Sequence, residues 1–221
     1  MTSPTQQTLP RQEWVLERVS GRSVLHVGFA GQSGRRAEPG SGTWFHERLD
    51  SRASELWGLD ADAYAVQHFR EMGVRNLVAA DACDFDLNRR FDVVVAGELL
   101  EHVTDAGRFL DCAQRHLKPG GVLLVTSPYA FNLFALLRAW YRFPNTVSND
   151  DHTCWYCPRT LEQLAAKTGY EVRSLSVVSD YRTDLGSRSG RAASQVGRLL
   201  SRVLPPRVLG STIVADLRPV K

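Results

Sequence analysis

No apolar run in this 221-residue chain approaches the roughly 20 residues that a membrane-spanning helix needs. The opening MTSPTQQTLP lacks the charged-then-apolar order of a secretory signal, and residues 1–13 read as a flexible lead-in. Cysteine is sparse. Four cysteines without a secretory signal point to reduced thiols in the cytoplasm, not to a disulfide framework. Net charge is only +3, too mild to argue for nucleic acid, and no stable nucleic-acid partner is expected. Internal repeats and low-complexity linkers are missing, so residues 14–221 read as one domain. The fingerprint G-x-G-x-x-G is absent as well, which argues against a nicotinamide dinucleotide.

What is present is an alternation. SVLHVG (23–28), ELWGLD (55–60), NLVAAD (76–81), FDVVVAGE (91–98) and GVLLVTSP (121–128) read as short strands, mostly buried on both faces. Helical spacing fills 61–72 and 105–117, and KPGG at 118–121 is expected to stop the second helix. Two later strands are expected, at 170–178 and 211–219. Strand–helix–strand alternation predicts an α/β, Rossmann-like, mostly parallel sheet with helices on both faces. Residues 186–209 read as a basic insertion before the last strand. Its VGRLLSRVL stretch is either a helix covering the sheet or a contact for a membrane surface or partner.

In open parallel sheets, ligands sit at the carboxyl ends of the strands. HVGFAG leaves the first strand with Gly28 and Gly31, which let a backbone approach a ligand closely. Asp60 ends the second strand, where a carboxylate can accept from two ribose hydroxyls. Asp81 and the small Ala82 end the third, a place to hold an adenine edge. In this order, with FDVVVAGE and LKPGGVLLVTSP following, these stretches resemble the class I S-adenosylmethionine-dependent methyltransferases. The resemblance implies seven strands and S-adenosylmethionine as cofactor, with Gly28, Gly31, Asp60, Ala61, Asp81, Ala82 and Gly97 around it. His26 and Ala30 depart from the pattern, standing where the family usually has an acid and a third glycine. In TWFHERL, Trp44 and His46 either close over the cofactor or pack inside.

GELLEHV (97–103) sets two carboxylates and an imidazole at the end of the fourth strand. On a helical turn, Glu98, Glu101 and His102 would share one face. Such a cluster is costly unless something positive sits among the carboxylates, and a divalent cation fits. His152, in NDDHTCWYCPRTL, is the next candidate ligand. E-x-x-E-H followed by a later His resembles the metal-dependent small-RNA 2′-O-methyltransferases, and the ubiquinone-biosynthesis O-methyltransferases carry a related E-H turn. The overall likeness is closer to small bacterial methyltransferases of cell-surface glycan and sugar pathways. By that resemblance Glu98, Glu101, His102 and His152 hold Mg²⁺ or Mn²⁺, with His102 and Glu101 catalytic and a sugar or polyol hydroxyl as acceptor. Three alternatives stand beside it. His102 acts as a metal-free base, Glu101 pairs with an arginine and the turn is structural, or the chain is a non-catalytic adenosylmethionine-fold binding module. The aromatic stretch SPYAFNLFALLRAWYRFP (127–144) reads as a lid on the acceptor side, and Cys154 and Cys157 read as packing residues.

Overall fold

The computed structural model of the chain describes residues 9–31, 39–141, 143, 149–179, 199–200 and 204–220. Residues 1–8 of the expected lead-in, and 186–198 and 201–203 of the expected insertion, lie outside them.

Seven strands form one sheet. They are β1 (Ser23–Val27), β2 (Glu55–Asp60), β3 (Leu77–Ala79), β4 (Phe91–Gly97), β5 (Leu117–Pro128), β6 (Tyr170–Val178) and β7 (Thr212–Pro219). Their order is β3-β2-β1-β4-β5-β7-β6, with β7 antiparallel to both neighbours and the first five strands parallel. The helices are α1 (Arg11–Val19), α2 (Phe45–Asp50), α3 (Ala63–Glu71), α4 (Ala106–Arg115), α5 (Leu133–Tyr141), α6 (Pro158–Lys167) and α7 (Pro206–Leu209).

The two-residue strand period explains why the strands read as unbroken apolar runs. Val93 and Val95 face a layer built from Trp14 and Val19 of α1 and Leu49 of α2. Val94 and Ala96 face the opposite layer, with Phe109 and Leu110 of α4 and Leu161 of α6. Each fully buried Val or Leu contributes about 1.5–3 kcal/mol. A third cluster joins Phe29 and Trp44 to Val66 and Phe69 of α3.

Local chemistry sets the helix boundaries. Asp62 starts α3 by accepting from the Ala65 N–H at 2.9 Å, and Asp105 starts α4 by accepting from the Arg108 N–H at 2.9 Å. The helix expected over 105–117 ends at Arg115, before KPGG, and Lys118–Gly121 belongs to β5. His116 does the stopping. Its Nε2 accepts from the Leu87 N–H at 3.1 Å, so Nδ1 carries the proton and donates to the Cys112 carbonyl at 2.8 Å. At the other terminus α1 begins at Arg11, inside the stretch read as a lead-in, and Arg48 of α2 holds it through Gln12 and Glu13.

Candidate active site

The carboxyl ends of β1, β2 and β4 meet where the strand order reverses, the usual ligand crevice of such sheets. Gly28 (φ +78°) and Gly31 (φ +68°) bracket the loop leaving β1 in backbone conformations that favour glycine. Asp60 lies across from this loop. One of its oxygens accepts from the Ala30 N–H at 2.9 Å and the other from the Asp62 N–H at 3.0 Å. Each oxygen keeps a lone pair for a ribose hydroxyl, so the carboxylate is oriented and still able to accept. Ala61 is exposed beside it. Asp81 is exposed and accepts from the Cys83 N–H at 2.8 Å, while Ala82 turns its methyl into the core and offers only backbone. Gly97 ends β4.

Trp44 and His46 take the inward of their two expected places. Trp44 stacks on Phe69 with centroids 4.6 Å apart and donates its indole N–H to the Phe29 carbonyl at 3.1 Å. His46 meets His26 with the two Nδ1 atoms 3.2 Å apart. Burial holds the His46 pKa down to about 4 and, with the nearby His46 and Arg11, holds His26 well below its usual range. Both rings are therefore neutral, one donating to the other. His26, which stands where the resembling family has an acid, here fastens α2 to β1.

The GELLEHV peptide is a tight turn, not a turn of helix. Glu98 has φ +53°, a left-handed conformation that costs a non-glycine residue about 1 kcal/mol. Its N–H donates to the Thr126 carbonyl at 2.9 Å, and its Oε1 accepts from the Thr126 hydroxyl at 3.0 Å. The expected shared face is thereby broken. Glu98 points toward Thr126 and Arg11, 4.0 Å from the guanidinium, and stays outside the ligand cluster. Corrected in this way, the expected four-residue set becomes three.

Glu101, His102 and His152 do converge. One donor atom from each lies within 4.8 Å of the others, and the two imidazoles meet edge to face with centroids 4.7 Å apart. Backbone pairing joins the two distant segments. The Thr153 N–H donates to the Glu101 carbonyl at 2.8 Å, the Thr153 hydroxyl to the same oxygen at 3.1 Å, and Tyr156 bridges to Tyr129. Glu101 is 1% exposed. Its Oε2 accepts from the Ser127 hydroxyl at 3.0 Å, while its Oε1 is buried with no hydrogen-bond partner among the described residues. Burial, then the charge of Glu98, pushes its pKa up to about 8. Burial and the neighbouring His102 lower that of His152. A buried, half-satisfied carboxylate beside two imidazoles fits a divalent cation, because the cation would satisfy the orphaned oxygen and hold both rings neutral.

Two contributors escaped the sequence reading. Arg11 reaches from α1 over the Phe45 ring, its Nη1 3.8 Å from where a side chain on Gly97 would begin. Ser127 orients Glu101. Neither carries a motif, and α1 itself lies partly in the presumptive lead-in. Cys154 and Cys157 remain free thiols: Cys154 turns toward the Leu100 carbonyl, and Cys157 caps α6. A cavity of about 600 Å³, lined by Trp44, His46, Glu47, Leu56, Met72 and Asn76 among others, opens at the opposite ends of β2 and β3 and touches neither Asp60 nor the Glu101, His102 and His152 cluster.

Residues 37–175 match the family described as methyltransferase domain. The chain belongs to that family. It carries a methyltransferase domain. It is 31% identical over 144 residues to the ubiquinone biosynthesis O-methyltransferase of Pseudomonas fluorescens, covering 59% of this chain and 57% of that one. The chain thus matches less than two thirds of the length of that relative, whose name is for ubiquinone biosynthesis and not for a sugar pathway. The fold matches an S-adenosylmethionine-dependent methyltransferase from Clostridium acetobutylicum with TM-score 0.60, at 11% identity over 95% of this chain and 91% of that one. An N-methyltransferase from Bradyrhizobium japonicum in complex with S-adenosyl-L-homocysteine matches with TM-score 0.57, at 16% identity over 96% and 86%. Among the described residues no helix of this methyltransferase is long and apolar enough to cross a membrane.

Proposed function

We propose that this methyltransferase acts on oxygen, methylating a hydroxyl of a sugar or polyol that binds through two neighbouring oxygens at a divalent cation held by Glu101, His102 and His152. The observation that carries the reading is the buried Glu101 carboxyl, whose Oε1 has no hydrogen-bond partner among the described residues, within reach of two imidazoles. The O-methyltransferase name of the P. fluorescens relative supports oxygen as the acceptor atom.

On the donor side, Asp60 accepts from the ribose hydroxyls, and glycine backbone at Gly28 and Gly31 lies against the methionine portion. Asp81 and the Ala82 backbone stand at the adenine end. Arg11 supplies a cation for the methionine carboxylate, while His26, neutral and turned to His46, takes no part. S-adenosylmethionine brings an activated methyl group, so the protein's task is alignment and a more nucleophilic acceptor. Bound Mg²⁺ or Mn²⁺ supplies Lewis acidity and lowers the pKa of an oxygen it touches. Ser127 keeps Glu101 aimed at the cluster, and the acceptor proton leaves to solvent; only without a cation would the ring of His102, less buried than Glu101, be free to take it. Tyr129 and Phe131, with centroids 6.3 Å apart, flank the approach and suit the flat face of a sugar ring.

A second reading takes a quinone-biosynthesis acceptor at the same centre, favoured by the name of the relative. One experiment addresses both. The enzyme is incubated with labelled S-adenosylmethionine, Mn²⁺ and a panel of sugar diols and aromatic diols, and products are read by mass spectrometry. O-methylated sugar products, lost with chelator and restored by Mn²⁺, support the first reading. Products from the aromatic diols alone transfer the assignment to the second. Transfer unaffected by chelator leaves His102 as a metal-free base.

A further inference from the structure

The helix after β5 is inside out. Asn132 starts α5 well, with its Oδ1 accepting from the Ala135 N–H at 2.9 Å and its side-chain amide donating to the Tyr129 carbonyl. Yet α5 buries none of its nine residues. At 100° per residue, Leu133, Leu136, Leu137, Trp140 and Tyr141 share one broad apolar face, and Ala135 and Ala139 lie opposite. A helix of a soluble domain normally turns its large apolar side chains inward. Here the two alanines are half-buried, while Leu136 and Leu137 are about half exposed and Trp140 and Tyr141 are 86% and 91% exposed. Phe131 and Phe143, at 55% and 82%, extend the patch at either end. Apolar surface of this size marks a contact with something outside the fold.

We propose that the outer face of α5 docks on an anionic phospholipid surface. Charge favours that occupant. Residues 128–149 include Arg138 and Arg142 and no acidic residue, and exposed Arg207 sits on α7, the helix against which α5 rests. In sequence, residues 182–205 add Arg182, Arg188, Arg191, Arg198 and Arg202 against one acid, Asp184. Apolar side chains flanked by arginines, with a tryptophan and a tyrosine at the edge, have the chemistry of a helix lying in a headgroup layer. A second copy of the chain fits less well. Two such faces packed on each other would offer Arg138 no acidic partner, since residues 128–149 contain none. Docking would also set the acceptor mouth toward the lipid, since α5 begins at Leu133, five residues after β5 ends at Pro128, and Tyr129 between them makes the bridge to Tyr156. The docking surface is independent of the cation site.

The test is vesicle co-sedimentation of the full chain, using phosphatidylcholine with and without about one third phosphatidylglycerol. The chain is expected to partition at least tenfold more strongly onto the anionic vesicles, and high salt should weaken the binding. The double variant Leu137→Asp/Trp140→Asp alters only exposed positions. It should bind adenosylhomocysteine like the wild type and lose at least tenfold in partitioning. Trp140→Phe should still bind but lose most of the blue shift in tryptophan emission that vesicles produce. Equal partitioning of the double variant overturns the proposal. So does a wild-type chain that ignores anionic vesicles but self-associates through the same residues, which assigns the face to a second copy.

Discussion

Replacing Glu101 by glutamine should stabilise the cation-free enzyme while abolishing its cation-dependent chemistry. The Glu101 carboxyl is 1% exposed, has one oxygen without a partner among the described residues, and has its pKa raised from 4.5 to about 8. Between those values the folded chain holds a proton that the unfolded chain releases. Stability therefore falls as pH rises from 4.5 to about 8, and is fully reduced above it. Each pKa unit corresponds to about 1.4 kcal/mol, which sets a ceiling of about 5 kcal/mol; relaxation and water entry leave about 2 kcal/mol. Glutamine has the same shape and no charge, so it removes the pH-dependent cost. Urea unfolding in chelator should show the two proteins equal near pH 4.5 and Glu101→Gln more stable by about 2 kcal/mol at pH 8. Taking the difference between the two curves cancels the other titrating groups. Mn²⁺ should then stabilise the wild type at pH 8 and leave the variant unmoved. A variant that is less stable than the wild type at pH 8 in chelator refutes the reasoning.

Three further outcomes follow from the fold and the donor side. Asp60→Ala and Arg11→Ala should each weaken adenosylhomocysteine binding at least tenfold by calorimetry, through loss of a charged partner worth about 1.5–3 kcal/mol; an unchanged Kd removes the residue from the site. Gly58→Ala should lower stability by about 1–3 kcal/mol, because the new methyl would lie 2.7 Å from Leu77 and 2.9 Å from both His46 and Phe29. Acid should also unfold the wild type. The folded His46 pKa of about 4 lies below the unfolded 6.5, so stability present above pH 6.5 is lost as pH falls toward 4, by about 3 kcal/mol at most. A His26→Leu/His46→Leu variant should lack that loss, and an identical acid transition in the two proteins would exonerate the pair.

The sheet was legible because its strands are short, apolar on both faces and separated by capped helices. Val93 through Ala96 announce β4 without ambiguity, and the Asp62 and Asp105 caps mark where α3 and α4 start. Boundaries were less so. KPGG reads as a helix stop, but the stop belongs to His116, whose two ring nitrogens bind backbone groups that are distant in sequence or hidden in the helix. The site was legible in part for a similar reason. Glu101, His102 and His152 could be named from residue type and order, since backbone pairing through Thr153 then brings them together. Helical spacing mispredicted Glu98, because the Thr126 hydroxyl and carbonyl capture it in a left-handed turn that spacing cannot reveal. Arg11 could not be found at all, since its role depends on α1 bringing its guanidinium beside Phe45, Gly97 and Glu98. His26 showed as a departure, but its partner His46 lies twenty residues away and became visible only in three dimensions.

Calorimetric titration of Mn²⁺ into the adenosylhomocysteine-bound enzyme at pH 8 asks whether Glu101, His102 and His152 hold a cation. One Mn²⁺ per chain is expected in the wild type, with binding lost or weakened at least tenfold in each of Glu101→Gln, His102→Ala and His152→Ala, and adenosylhomocysteine affinity intact. No saturable Mn²⁺ binding to the wild type, or a site indifferent to all three substitutions, would contradict a cation held there.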